Sequence, residues 1–154
     1  MPLTGIDHYL IQTDDIDMTA DWYERVLGMH RGFTPDFKFP VVWMYLGEKD
    51  MVHITAGGGA VSENRMKYLG QQSTETRGSG AVDHIAYRAT GLRDMIAHLN
   101  SLGEDFNERQ VNDQGLYQLF LFDPNGVKIE LNFANAEAID NGIVPELMAS
   151  ELPA

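Results

Sequence analysis

Cysteine is absent from this chain of 154 residues. Disulfides and thiolate metal sites are thereby excluded, and a reducing compartment is suited. No apolar run approaches the roughly 18 residues that would cross a bilayer. The first residues show no basic region followed by an apolar stretch, so no secretion signal is expected. A cytoplasmic location follows as the expectation. Positive charge is scarce, with 11 Lys and Arg against 23 Asp and Glu and a formal charge of −12. Nucleic acid and anionic membranes are bound chiefly through Lys and Arg, so neither is an expected partner. A multiply anionic substrate is disfavoured too, unless a local Arg compensates. What is present is ordinary for a folded protein: 44% of residues are hydrophobic and 10% aromatic, which excludes disorder and supports a buried core in one domain.

The informative feature is a repeat. Ile6-Asp7-His8 returns as Val82-Asp83-His84, and Val52-His53-Ile54 returns as Ile129-Glu130-Leu131. The offsets are 76 residues (84 − 8) and 77 residues (130 − 53). Four matching positions therefore hold four possible metal ligands, as expected of one site built from two halves related by a pseudo-twofold axis.

Each half reads as β-α-β-β-β, which makes the fold class α+β. In the first module, residues 4–56, GIDHYLIQ is a strand, and Asp14 or Asp15 caps a helix over about 17–28 with Met18, Trp22 and Val26 along its apolar face. Gly28 ends that helix. A turn at Thr34-Pro35-Asp36 precedes a strand from Val41 to Leu46, and a turn at Gly47–Asp50 precedes Met51–Thr55. In the second module, residues 81–133, VDHIAYRA is the strand and 91–102 a helix striped with Leu92, Met95, Ile96, Leu99 and Leu102. Strands follow over Phe106–Val111 and Leu116–Phe122. A tight Asp123-Pro124-Asn125-Gly126 turn then leads into Val127–Asn132. Residues 57–80 read as a flexible, Gly-rich linker of the length that serves as a lid or a partner contact. Residues 134–154 read as an acidic C-terminal arm, either laid on the surface or disordered.

Strand parity places the candidate ligands. His8 shares a face with Leu10 and Gln12, and His84 with Ala86 and Arg88. Glu130 shares one with Lys128 and Asn132, opposite the apolar Val127, Ile129 and Leu131 that should face a helix. His53 is expected to point with Glu130. Imidazole and carboxylate together suit a divalent first-row ion such as Fe, Zn, Ni, Co or Mn. Three of the five histidines at repeat-related positions are hard to explain by packing, whereas His98 reads as exposed. Trp43, Tyr45, Phe120 and Phe122 either line an aromatic cavity for a planar or apolar small molecule or belong to an ordinary core. Gln118 and Arg88 are further candidates for holding substrate, with an exposed salt bridge as the plainer role for Arg88.

This pattern, and LFLFDPNGVKIELNF (residues 119–133) above all, resembles the vicinal oxygen chelate superfamily of glyoxalases, bleomycin-resistance proteins and extradiol dioxygenases. The resemblance covers about residues 4–133. It implies the glyoxalase/bleomycin resistance/dihydroxybiphenyl dioxygenase fold, two modules forming a partly open barrel around a metal. It also implies that His8, His84 and Glu130 are ligands and that His53 occupies a fourth ligand position, where Glu or Gln is more usual. A homodimer is implied as well. Within the superfamily the lead expectation is a glyoxalase-like lyase or isomerase. Such an enzyme would chelate vicinal oxygens of a small substrate, with Glu130 as both ligand and proton acceptor. The runner-up is an Fe(II) ring-cleavage dioxygenase, whose members carry a Tyr ten residues before the carboxylate where this chain has Phe120. A non-enzymatic small-molecule binder of the bleomycin-resistance type is the contrasting class. A fosfomycin-type transferase would need a Lys/Arg cage that these positions lack.

Overall fold

The structure, a computed structural model, describes residues 2–153. The chain forms two compact units, Met1–Gly78 and Ser79–Ala154. No described helix is long and apolar enough to cross a membrane.

The first unit contains β1 (Tyr9–Thr13), α1 (Ile16–Leu27), β2 (His30–Arg31), β3 (Val41–Leu46), β4 (Lys49–Ala56) and α2 (Glu63–Leu69). Its sheet has the order β1-β4-β3-β2, with β1 parallel to β4 and the other pairs antiparallel. The parallel β1–β4 pair needs the α1 crossover between its strands. Asp15 caps α1 by accepting from the Met18 amide at 2.9 Å, and Gly28 ends it in the left-handed conformation at φ 70°. The buried face of α1 comprises Thr19, Ala20, Trp22, Tyr23 and Val26, and it packs on β3 and β4. Met18, expected on that face, is 46% exposed. Steps of four residues drift about 40° per step on a helix of 3.6 residues per turn, so a stripe centred on Trp22 and Val26 turns Met18 outward. Ile11, Met44, Val52 and Ile54 complete this core.

The second unit contains β5 (His84–Arg88), α3 (Leu92–Leu102), β6 (Asn107–Val111), β7 (Leu116–Phe122), β8 (Lys128–Ala134), α4 (Asn135–Asp140) and β9 (Leu147–Met148). Its sheet order is β5-β8-β7-β6-β9. The first four strands repeat the topology of the first unit, β5 lying parallel to β8. Asp123 builds the turn before β8, its Oδ1 accepting from the Asn125 and Val127 amides at 2.8 Å each. Gly126 takes φ 80° there, which a side chain would resist. Leu92, Leu99, Tyr117, Leu119, Leu121, Ile129 and Phe133 are fully buried.

Two stretches carry more order than their composition conveyed. In the Gly-rich segment, Ser62 caps α2, and Arg65 of that helix is only 5% exposed. Its Nη2 donates to Gln12 Oε1 at 2.8 Å and its Nη1 to the Gly70 carbonyl, while Nε is buried without a partner among the described residues. In the tail, Glu137 of α4 accepts from the Gly91 and Leu92 amides at 2.8 and 2.7 Å and so caps α3. β9 adds a fifth strand beside β6.

Candidate functional site

In the first unit the candidate residues gather at the end of the β1–β4 pair. Leu10 pairs with His53 across the parallel strands, and Trp43 lies directly opposite His53 on β3. Ile11 and Thr13 are buried, so the alternate set of His8, Leu10 and Gln12 faces the other way, as parity requires. The His53 ring is sandwiched. It stacks on His8 at 3.8 Å between centroids and on Trp43 at 4.1 Å, with interplanar angles of 16° and 5°. Burial pushes the His53 pKa below the usual histidine value, against the raising effect of a 2.9 Å hydrogen bond between its Nε2 and Asp50. That bond in turn holds the Asp50 carboxyl below its ordinary range. His8 Nδ1 meets Asp7 Oδ2 at 2.7 Å. Asp7 is pushed down to about 2, first by its hydrogen bond from Lys49 and then by the one from His8.

The second unit repeats the arrangement. Ala86 and Phe120 flank Glu130 on the neighbouring strands, the counterparts of Leu10 and Trp43 around His53. His84 Nδ1 meets Asp83 Oδ2 at 2.8 Å, and Asp83 also accepts from Lys128 at 2.8 Å. The Lys128 bond is the larger cause of the low Asp83 pKa. His84 Nε2 lies 2.8 Å from Glu130 Oε2. Gln118 donates to Glu130 Oε1 at 2.8 Å and to Asn132 at 3.2 Å. Glu130 is 7% exposed, so its carboxylate is held by named partners rather than by bulk water.

Asp7 and Asp83 were not among the sequence candidates, although Asp-His stands at both copies of the repeat. Each carboxylate engages Nδ1 of the following histidine, which fixes the ring and leaves Nε2 for other chemistry. The supporting Lys49 and Lys128 had no comparable signal, since they are not at equal offsets.

The remaining candidates divide. Phe120 meets the His84 ring edge-on at 6.1 Å. Trp43 continues from His53 into an aromatic group with Phe37 at 5.9 Å, and Phe37 reaches Tyr68 of α2 at 5.3 Å. Phe122 is 53% exposed and lines a cavity with Gln118 and Phe120. Tyr45 instead donates its hydroxyl to the Phe33 carbonyl at 2.6 Å and lies beside His30. A register shift between Met44 and Tyr45 separates it from the Trp43 alternation, and only glycine at position 32 leaves room for its ring. Arg88 lies at the opposite end of β5 from His84 and lines a different depression with Gln114 and Asn132. Tyr117 is fully buried and donates to Glu108 at 3.0 Å, on the face of β7 opposite Phe120.

Three imidazoles and a carboxylate are a donor set that fits a hard-to-borderline divalent ion. Among the described residues no three or more His, Asp or Glu side chains are gathered where they could hold a metal ion; His8 and His53 are stacked face to face, and His84 faces Glu130.

The sequence profile of the Glyoxalase/Bleomycin resistance protein/Dioxygenase superfamily matches residues 5–131. The chain belongs to this superfamily. Its glyoxalase-type fold is shared with lactoylglutathione lyase from Agrobacterium tumefaciens, at 17% identity and TM-score 0.62 over 86% of this chain and 96% of that one. A genomically encoded fosfomycin resistance protein, FosX, from Listeria monocytogenes matches at 12% identity and TM-score 0.62, covering 88% of this chain and 98% of that one. TnmS3, an antibiotic binding protein from a Streptomyces species, matches at 14% identity and TM-score 0.61, covering 87% and 98%. No curated protein sequence matches at a significant level. These proteins of like fold include a lyase, a resistance protein and a binding protein, and the fold alone does not choose between them.

Proposed function

We propose that the chain is a metal-dependent glyoxalase-type lyase or isomerase acting on a small oxygenated substrate, with His8, His53, His84 and Glu130 as the ligands of one divalent ion. The observation that carries this reading is the paired Asp-His support. In both units a carboxylate holds Nδ1 of the repeat-related histidine, at 2.7 and 2.8 Å, and in the second unit Nε2 is already turned to Glu130 at 2.8 Å. Two donors are too few for a tight divalent site, which takes four to six.

These four side chains would hold the ion, which when bound would supply Lewis-acid polarisation of a substrate carbonyl. The protein's own groups do the rest. Glu130 takes a proton from the carbon beside the carbonyl and returns it to the neighbouring carbon. Gln118 keeps the Glu130 carboxylate in one orientation through its 2.8 Å bond. Asp7 and Asp83 orient His8 and His84, and the stacked Trp43 ring holds His53; His8 has to turn off the face of His53 before both can bind one ion, because a metal lies in the plane of each imidazole that holds it. Phe120, where ring-cleaving dioxygenases have a tyrosine, supplies no hydroxyl for oxygen chemistry.

The test is elemental analysis together with solvent-deuterium exchange. The parent should carry a divalent ion and exchange a proton α to a carbonyl in methylglyoxal-derived or other 2-oxo substrates, without taking up oxygen. His84→Ala and Glu130→Ala should lose the ion while keeping a native circular dichroism spectrum. Oxygen uptake on a catechol would move the assignment to the dioxygenase. Ligand binding with no metal at any concentration would move it to a binding protein. Scattering that fits an isolated 17.2 kDa particle would contradict the homodimer.

A further inference from the structure

The second unit holds a cavity of about 500 Å³ whose floor is the β7 face carrying Gln118, Phe120 and Phe122. Its outer wall comes from the tail, through Leu147, Met148 and Leu152. That wall lies outside the duplicated modules. It is fixed by the pairing of β9 with β6, Arg109 against Leu147 and Gln110 against Met148. Lining side chains also touch the His84–Glu130 pair or its support. Gln118 donates to Glu130, Phe120 stands edge-on to His84, and Lys128 binds Asp83. The volume suits a small organic molecule.

The charges of the lining decide what kind. Among the described residues that line it Arg109 and Lys128 are the only cations, and both are paired with carboxylates. Arg109 Nη1 lies 2.8 Å from Glu146, and Lys128 Nζ lies 2.8 Å from Asp83. An anionic group entering the cavity would shed part of its water without gaining a free cation, a loss that a neutral ligand is spared. The Asn107 amide offers a neutral hydrogen bond to a carbonyl or hydroxyl and the Gln118 Oε1 accepts from a hydroxyl, its Nε2 being engaged by Glu130 and Asn132, while the two phenylalanine rings offer stacking.

We infer that the C-terminal segment 147–152 completes a recognition cavity for an uncharged, largely apolar, planar molecule and that this cavity discriminates against anions. The inference deepens the proposed metal-dependent function by naming its substrate class, yet its binding step is measured without metal. The full-length, metal-free chain is titrated with 2-naphthol and with 2-naphthoate, one skeleton with and without a negative charge at pH 7, and binding is followed by NMR. Naphthol should bind at least ~10-fold more tightly than naphthoate and shift the Gln118 side-chain amide and the Met148 and Leu152 methyl signals. Met148→Ala and Leu152→Ala should weaken naphthol several-fold, whereas Met148→Leu, which keeps the volume, should retain it. Glu146→Gln frees the Arg109 charge and should narrow the gap between the two probes. Equal or tighter naphthoate binding to the parent, no naphthol binding, or tail variants that bind as the parent does would each overturn the inference. Loss of the metal reading with naphthol discrimination intact would sink the proposed chemistry alone. A bound metal without discrimination would sink this inference alone.

Discussion

Gln118→Leu probes how firmly the candidate proton acceptor is held. The Gln118 amide lies 2.8 Å from Glu130 Oε1, and Glu130 is 7% exposed. A hydrogen bond to a charged, poorly solvated group contributes about 1.5–3 kcal/mol, because its loss leaves a carboxylate oxygen without its donor. In a chelator-treated protein, Gln118→Leu should therefore reduce stability to urea by about 2 kcal/mol. For a chain of this size that is about 4–8 °C in Tm. The second arm is the same substitution in a Glu130→Leu background. There only the neutral contact of Gln118 with Asn132, at 3.2 Å, remains to be lost. Its removal costs at most about 1 kcal/mol. The double-mutant cycle should thus show a coupling of at least about 1 kcal/mol between the two positions. Equal losses in both backgrounds would refute the idea that Gln118 positions Glu130.

Other outcomes follow from the same structure. Burial, and next the Glu108 hydrogen bond, raise the Tyr117 pKa, so the folded protein keeps the phenol proton that an unfolded chain gives up near pH 10. Stability should be unaffected by this group at neutral pH and fall above about pH 10, by up to ~1.4 kcal/mol per pH unit. Tyr117→Phe should remove that share of the alkaline decline, and an unchanged pH–stability curve would contradict it. Arg65 is buried with no carboxylate partner among the described residues, so Arg65→Met should change stability by less than about 1 kcal/mol. Gln12→Ala, which strips an acceptor from the retained guanidinium, should cost about 2 kcal/mol by urea denaturation; the reverse order would refute the account of α2. Asp83→Asn should weaken metal binding by about 10-fold through the loosened His84 ring, measured by competition with a chelating dye.

Much of this was legible in the chain because it depends on parity and spacing. The alternation of Val127, Ile129 and Leu131 turns Glu130 to the opposite face, and the observed registers place Ala86 and Phe120 beside it as the repeat implied. Both helix ends marked by Gly28 and Gly103 lie where expected. What composition hid was tertiary. The linker and the tail carry no strong periodicity, yet Arg65 bonds to Gln12 and Gly70, and Glu137 caps α3, through contacts that local sequence does not encode. Tyr45 departed from the Trp43 face through a bulge, which no alternation rule anticipates. The Asp-His pairs were visible as letters in both copies, but their role emerges only from the Nδ1 geometry.

The central claim, one ion drawing on both modules, is tested most directly by calorimetric titration of the chelator-treated protein with Zn²⁺ in parent, His8→Ala and His84→Ala forms. The account predicts one tight site per chain in the parent and its loss in both variants, since each removes a ligand from the same ion. A His8→Ala protein that binds as the parent does, or a parent with two independent sites per chain, would contradict it.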